Sequence, residues 1–311
     1  MSRSLAMEIL SAIASSARNS RHHGDETETD RAFEVEDFYR LEIAGPFDVD
    51  VRIGGQASVH ASGPDWALES IRVENQGDRL FIGCDGDCDG DVNIAVEVPH
   101  LRSLRMAGSG DVSVDHVTGD AFECASSGSG DLTIDSLELD KLKLSAAGSG
   151  DVRIDKIRSG EFEATVMGSG DLSFDAVESA AFRLTINGSG DAQVGEFCGD
   201  ALETIVTGSG DLQVEALEVS AIKLSIFGSG DVHIGEGRSK HASLETSGSG
   251  DISIEGVEVD KASLSICGSG DISARVTGKA EIAVMGSGDV SVTGGGKCSV
   301  SGSGSGEIRC S

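Results

Sequence analysis

From residue 108 onward, apolar and polar positions follow a pattern that returns every 20 residues. Its marker is Gly-Ser-Gly-Asp, which begins at Gly108 and recurs at 128, 148, 168, 188, 208, 228, 248 and 268, then at 286, with Gly-Ser-Gly-Glu at 304. Counting the first glycine as position 1, positions 5 and 7 are apolar, as in Val112 and Val114, Leu132 and Ile134, and Val152 and Ile154. That period of two predicts a short strand with one face buried. Positions 15, 17 and 19 alternate in the same way, as in Phe182, Leu184 and Ile186, which predicts a second strand. Position 10 adds a third inward residue, for example Val117, Leu137, Ile157 and Val177.

A coil of short strands with no helical pattern can bury its apolar face only against copies of itself. The expected fold class is therefore all-β, a single-stranded parallel β-helix with coils of about 20 residues. At ~4.8 Å per coil, about ten coils make a rod of roughly 50 Å. Inward volumes compensate within a coil: Phe122 faces Cys124 and Phe162 faces Ala164, whereas Ala242 faces Leu244 and Ala262 faces Leu264. The outward position 16 checks the register independently. It reads Glu123, Lys143, Glu163, Arg183, Glu203, Lys223, then Ser243 and Ser263, so in-register parallel stacking turns it into a ladder of opposite charges.

Residues 32–107 lack the 20-residue turn yet alternate like strands, as in Leu41 and Ile43, Val49, Val51 and Ile53, or Ile94, Val96 and Val98. They read as an irregular N-terminal part of the solenoid, with one short helix over Pro64 to Ser70 that starts near Ser62 or Asp65; residues 108–311 form the repeat region. Residues 1–31 read as a disordered or degenerate targeting segment. Leu5 to Ala17 is weakly apolar but interrupted by Glu8, and 18–31 is a polar linker. At the other end the coils shorten to 18 residues. An uncapped end offers strand edges to another molecule, unless Lys279, Glu281, Lys297 and Arg309 blunt it.

Charge narrows the partners. The 53 acidic and 24 basic side chains leave a formal charge of -29, which repels a nucleic-acid backbone or an anionic membrane surface. Cations, cationic polymers and basic proteins suit such a surface, which also serves solubility. No apolar run reaches the roughly 18 residues of a membrane span. The seven cysteines occupy different phases of the repeat, which argues against a disulfide framework. Cys84 and Cys88 bound an acidic loop that could be read as a metal loop but lacks a second ligand pair.

The sharpest chemical feature is the column at position 4: Asp111, Asp131, Asp151, Asp171, Asp191, Asp211, Asp231, Asp251, Asp271 and Asp289. Stacking sets like charges about 5 Å apart, at a cost on the order of 1 kcal/mol per neighbour pair before screening. Two compensations are open. Each carboxylate can accept bonds from the serine hydroxyl and glycine N–H groups of the tight turns. Alternatively the column is a row of Ca²⁺ sites, although one acidic turn per coil supplies few facing ligands. A partial column of Asp115, Asp135, Asp155, Asp175, Glu215 and Glu255 solvates the rod. The histidines are scattered, there is one Trp and one Tyr, and no Gly-x-Ser-x-Gly occurs. No catalytic residue or cofactor is expected.

Several segments together resemble the bacterial family called putative auto-transporter adhesin, head GIN domain. They are Gly45-Pro-Phe-Asp-Val-Asp-Val51, Gly63-Pro-Asp-Trp-Ala-Leu68, Arg79-Leu-Phe-Ile82 and, above all, Val98-Pro-His-Leu-Arg-Ser-Leu-Arg-Met-Ala-Gly-Ser-Gly-Asp-Val112. The resemblance spans about residues 32–308. It implies a right-handed β-helix, a cell-envelope or extracellular location and no enzymatic activity, and it supplies no site residues. The expected function is a non-enzymatic, adhesin-like structural protein of the envelope, binding a surface polymer or protein. The alternatives are a filament-forming scaffold that self-associates through the solenoid ends, a glycan-active β-helix enzyme, or a Ca²⁺-binding repeat protein.

Overall fold

The computed structural model describes residues 28–86, 88, 91–302 and 304–311. The segment Leu5 to Ala17 and most of the polar linker lie outside the described residues. Strand β1 (Glu28–Phe33) begins inside that linker.

The rest is a β-solenoid of about ten turns. Its repeat region consists of long curved strands, β9 (Val112–Ser126), β10 (Leu132–Ala146), β11 (Val152–Val166), β12 (Leu172–Gly188), β13 (Ala192–Gly208), β14 (Leu212–Ile226), β15 (Val232–Thr246), β16 (Ile252–Ile266) and β17 (Ile272–Val284). Each pairs in parallel with the next, at an offset of 20 as far as β16, so that Leu132 faces Val152 and Leu142 faces Phe162. Positions 5, 7, 15, 17 and 19 fill the core, as expected from their alternation. Aromatic packing occupies the middle of the rod: Phe162 stacks on Phe182 at 4.5 Å, and Phe174 and Phe197 meet Phe182 edge-on at 6.1 and 5.6 Å.

The glycines of the marker are required by stacking between coils. A Cβ on Gly148 would lie 1.8 Å from the carbonyl oxygen of Gly128, and one on Gly150 would lie 2.0 Å from that of Gly130. Only a turn without side chains at positions 1 and 3 lets successive coils approach to hydrogen-bonding distance, with Ser149 N–H donating to Gly128 O at 3.1 Å.

The N-terminal part is threaded out of sequence order. Strand β2 (Arg40–Ala44) lies between β6 (Arg79–Cys84) and β8 (Ser103–Met106), and β3 (Asp48–Ile53) lies between β7 (Asn93–Val98) and β9. The chain thus builds its second coil first, leaves to form the end, and returns beneath itself. The excursion comprises β4 (Ser58–Pro64), helix α1 (Asp65–Ser70) and β5 (Ile71–Gln76). Antiparallel pairing of β1 on β4, β4 on β7 and β5 on β6 finishes that end. Pro64 occupies the cap position of α1 without a side-chain bond, and Asp65 instead accepts the Thr29 hydroxyl at 2.7 Å.

At the far end β17 drops two residues, and Ile272 pairs with Val290 at an offset of 18. Strands β18 (Val290–Thr293) and β19 (Lys297–Gly302) form the last full coil, β20 (Ile308–Cys310) stacks on β18 as the start of another turn, and inward-column Val300 is left 57% exposed. Two disulfides correct the cysteine reading: Cys84 with Cys88 and Cys298 with Cys310. The first closes a short loop and the second ties β19 to the strand that follows it, 12 residues on, so phase within the repeat did not exclude them. Cys124 is buried, and burial pushes its thiol up to about 12.

Among the described residues, one buried core hydroxyl lacks a partner. Thr204 sits in register between Leu184 and Leu224, 1% exposed, and its hydroxyl has no hydrogen-bond partner. Thr204→Val keeps the shape and removes the buried polar atom, so chemical denaturation should show a gain of about 1–2 kcal/mol. A loss of stability would mean that the hydroxyl is satisfied.

Candidate functional site

The Asp column runs along one corner of the rod, and the turn explains its form. Where the chain rounds the corner, the N–H of position 4 has no carbonyl opposite it in the preceding coil. The carboxylate of that coil takes its place. Asp131 N–H donates to Asp111 Oδ1 at 2.8 Å, Asp151 to Asp131 at 2.8 Å and Asp171 to Asp151 at 2.9 Å. The same bond repeats up to Asp289, which donates to Asp271 at 2.7 Å. In return, Val112 N–H donates to Asp131 O and Leu132 N–H to Asp151 O. Each aspartate therefore completes the parallel ladder across the corner.

This differs in detail from the turn-bond expectation: the donors are backbone N–H groups of the next coil's aspartates, not serine hydroxyls or glycine amides of the same turn. The ladder extends further than the marker. Asp48 Oδ1 accepts Asp111 N–H at 2.9 Å, and Glu307 N–H donates to Asp289 Oδ1, so Gly45-Pro-Phe-Asp48 plays the part of Gly-Ser-Gly-Asp in the first-built coil. In sequence, the aspartate three residues after Gly45 was the available signal.

One carboxylate oxygen of each pair is used this way, and every ladder residue is solvent-facing. Among the described residues no group of three or more His, Cys, Asp or Glu side chains is placed to hold a metal ion. The backbone bonds offset part of the like-charge repulsion. Asp171→Asn keeps an oxygen acceptor and relieves charge, so its melting temperature should match the parent or rise slightly. Asp171→Ala removes the acceptor from Asp191 N–H and should cost about 1 kcal/mol. Calorimetry with and without EDTA should give the same transition for all three proteins. A large chelator-induced fall would make the column a row of cation sites.

Two further columns zip adjacent coils. At position 16, Glu203 sits between Arg183 at 3.6 Å and Lys223 at 2.6 Å. The hydrogen bond from Lys223, helped by both nearby positive charges, holds the Glu203 carboxyl below the usual carboxylate range. The pairing adds stability at neutral pH that is lost as pH falls below 4.5 towards the lowered value. Sequence reading missed a second alternating column at position 11: Glu138, Arg158, Glu178, Cys198, Glu218, Arg238, Glu258 and Arg275, stacked in register. Arg158 bonds Glu178 at 2.9 Å. Tabulating every outward position would have found it; Cys198 interrupts the alternation and the shortened coil shifts Arg275. The position 16 face also borders an open groove of about 620 Å³ whose rim includes Arg40, Arg79, Arg105, Lys141 and Lys143.

His60, His100, His116, His233 and His241 are exposed and separate, while His22 and His23 lie outside the described residues. Cys84 and Cys88, the suggested metal pair, are consumed by their disulfide.

A parallel solenoid whose corner is an acidic, hydrogen-bonded ladder and whose sides are charge-paired columns defines the class of this protein. The chain belongs to the family described as putative auto-transporter adhesin, head GIN domain, whose model matches residues 37–196 and 195–296. No curated protein matches it. Among solved structures, a putative adhesin from Bacteroides fragilis is 18% identical, with a TM-score of 0.36 over 92% of this chain and 98% of that one. A putative lipid binding protein from Parabacteroides distasonis is likewise 18% identical, with a TM-score of 0.40 over 93% and 98%. A putative adhesin from Parabacteroides merdae is 15% identical, with a TM-score of 0.35 over 93% and 98%. No helix among the described residues is long and apolar enough to cross a membrane.

Proposed function

We propose that this chain is a non-enzymatic, adhesin-like structural rod of the bacterial cell envelope or surface. The observation that carries the reading is the surface itself: its charged groups run in columns over many coils and present a repeating face to an extended partner. The adhesin family supports the reading. So do the two disulfides, which persist in oxidising compartments. Protease shaving of intact native cells tests it. Release of this chain's peptides without lysis is the expected result, and recovery only from the cytosolic fraction would overturn it.

A second reading, a scaffold that assembles end to end, is favoured by the exposed Val300 on β19, whose neighbour β17 covers one side only. For that reading, Val300→Lys should abolish any concentration-dependent sedimentation.

A further inference from the structure

Wherever this rod stacks charged side chains at positions 11 and 16, it alternates their sign. Position 14 departs from that rule in the last coils. There His241, Lys261, Lys279 and Lys297 stack in register, one per coil, all exposed, in a chain with 53 acidic and only 24 basic residues. Lys279 pairs with Glu281 of its own strand. Lys261 and Lys297 have no carboxylate within 4 Å among the described residues. A row of lysines about 4.8 Å apart with so little compensation calls for a row of anions outside the chain.

The aspartate column carries such a row. From Asp111 to Asp289 each carboxylate is engaged through one oxygen by a backbone N–H, and none lies within 4 Å of a lysine or arginine among the described residues. Both rows are set by the same coil stacking and have the same pitch. A lysine row laid on an aspartate ladder therefore stays in step coil after coil, whereas a polymer of another repeat falls out of step.

We propose that the lysine row at Lys261, Lys279 and Lys297 is a lateral docking surface for a second copy of this chain, and that it sits on that copy's aspartate ladder. Because the two rows are different surfaces, the contact is heterologous and can propagate side by side instead of closing. The formal charge of -29 opposes association at long range. At ~0.1 M salt the Debye length is about 10 Å, which screens distant charges more than contact pairs.

Two measurements on the full chain test it. Carbodiimide joins a lysine directly to a touching carboxylate. In an equimolar mixture of ordinary and ¹⁵N-labelled protein at ~0.1 M salt, mixed-isotope cross-links should join Lys261, Lys279 or Lys297 to ladder aspartates. In sedimentation equilibrium the average mass should rise with concentration at ~0.1 M salt and return to the monomer value at ~1 M, where the Debye length is about 3 Å; that monomer is 31.9 kDa. The variant Lys261→Glu, Lys279→Glu, Lys297→Glu, checked for an unchanged circular-dichroism spectrum, should remain monomeric. Absence of mixed-isotope links at these lysines would overturn the proposal. So would an association that survives ~1 M salt or the triple substitution, which would indicate end-to-end contact. Inorganic polyphosphate binding by a parent that stays monomeric would assign the lysine row to a polyanion and also refute the proposal.

Discussion

Gly150→Ala should be among the most damaging single-methyl additions possible in this protein, lowering stability by more than about 3 kcal/mol. The new Cβ would lie 2.0 Å from Gly130 O and 2.7 Å from Gly130 C, both backbone atoms that cannot rotate aside. Relief requires the coils to separate at the corner. That would stretch the bond from Gly150 N–H to Gly128 O, already 3.4 Å, and the neighbouring bond from Asp151 N–H to Asp131 Oδ1 at 2.8 Å. Because each coil rests on the one below, the misfit falls on the middle of a stack whose stability is shared between neighbours. Gly160→Ala is the milder comparison: its Cβ would meet Asp140 O at 2.8 Å with no other atom closer than 3.7 Å, so less backbone must move and the loss should be clearly smaller, about 1–2 kcal/mol. Urea denaturation of both variants checks the contrast. Equal, small losses would mean that the glycines serve only local turn geometry.

Ile154→Asp should unfold the centre of the rod or cost at least ~4 kcal/mol. Ile154 is 0% exposed and stands in register between Ile134 and Phe174. An aspartate there is surrounded by hydrocarbon from its own coil and both neighbours. Ile154→Ala, which only opens a cavity, should lose about 2–4 kcal/mol. Thermal melts of the two variants, ranked with Asp worse than Ala, are the expected outcome. A melt unaffected by Ile154→Asp would place position 7 on the outside and overturn the inward assignment of the whole column.

Much of this architecture is legible in the chain because a solenoid repeats its local instructions. Twenty-residue spacing, alternation at positions 5 to 7 and 15 to 19, and the sign changes from Glu123 to Lys223 together specify parallel stacking in register, since a one-residue slip would send Ile154 outward and part the opposite charges of position 16. Those are local and nearest-neighbour constraints, which a periodic sequence states in every coil. The aspartate column was visible too, as was the question of what offsets its charge.

The tertiary structure decided what depends on the distance between coils and on which segments meet. That Asp131 accepts the N–H of Asp151 follows from the backbone path at the corner, where the ordinary ladder partner is displaced; no property of Asp131 itself announces it. The threading of Arg40 to Ile53 between later strands is a non-local choice, because Leu41 can face either Leu80 or Leu104 and the fold uses both. The pairing of Cys298 with Cys310 likewise needs β19 and β20 brought together by the last, shortened coil. In this protein, sequence period fixed the repeating unit, whereas close backbone approach fixed how its corner is bonded and how its ends are built.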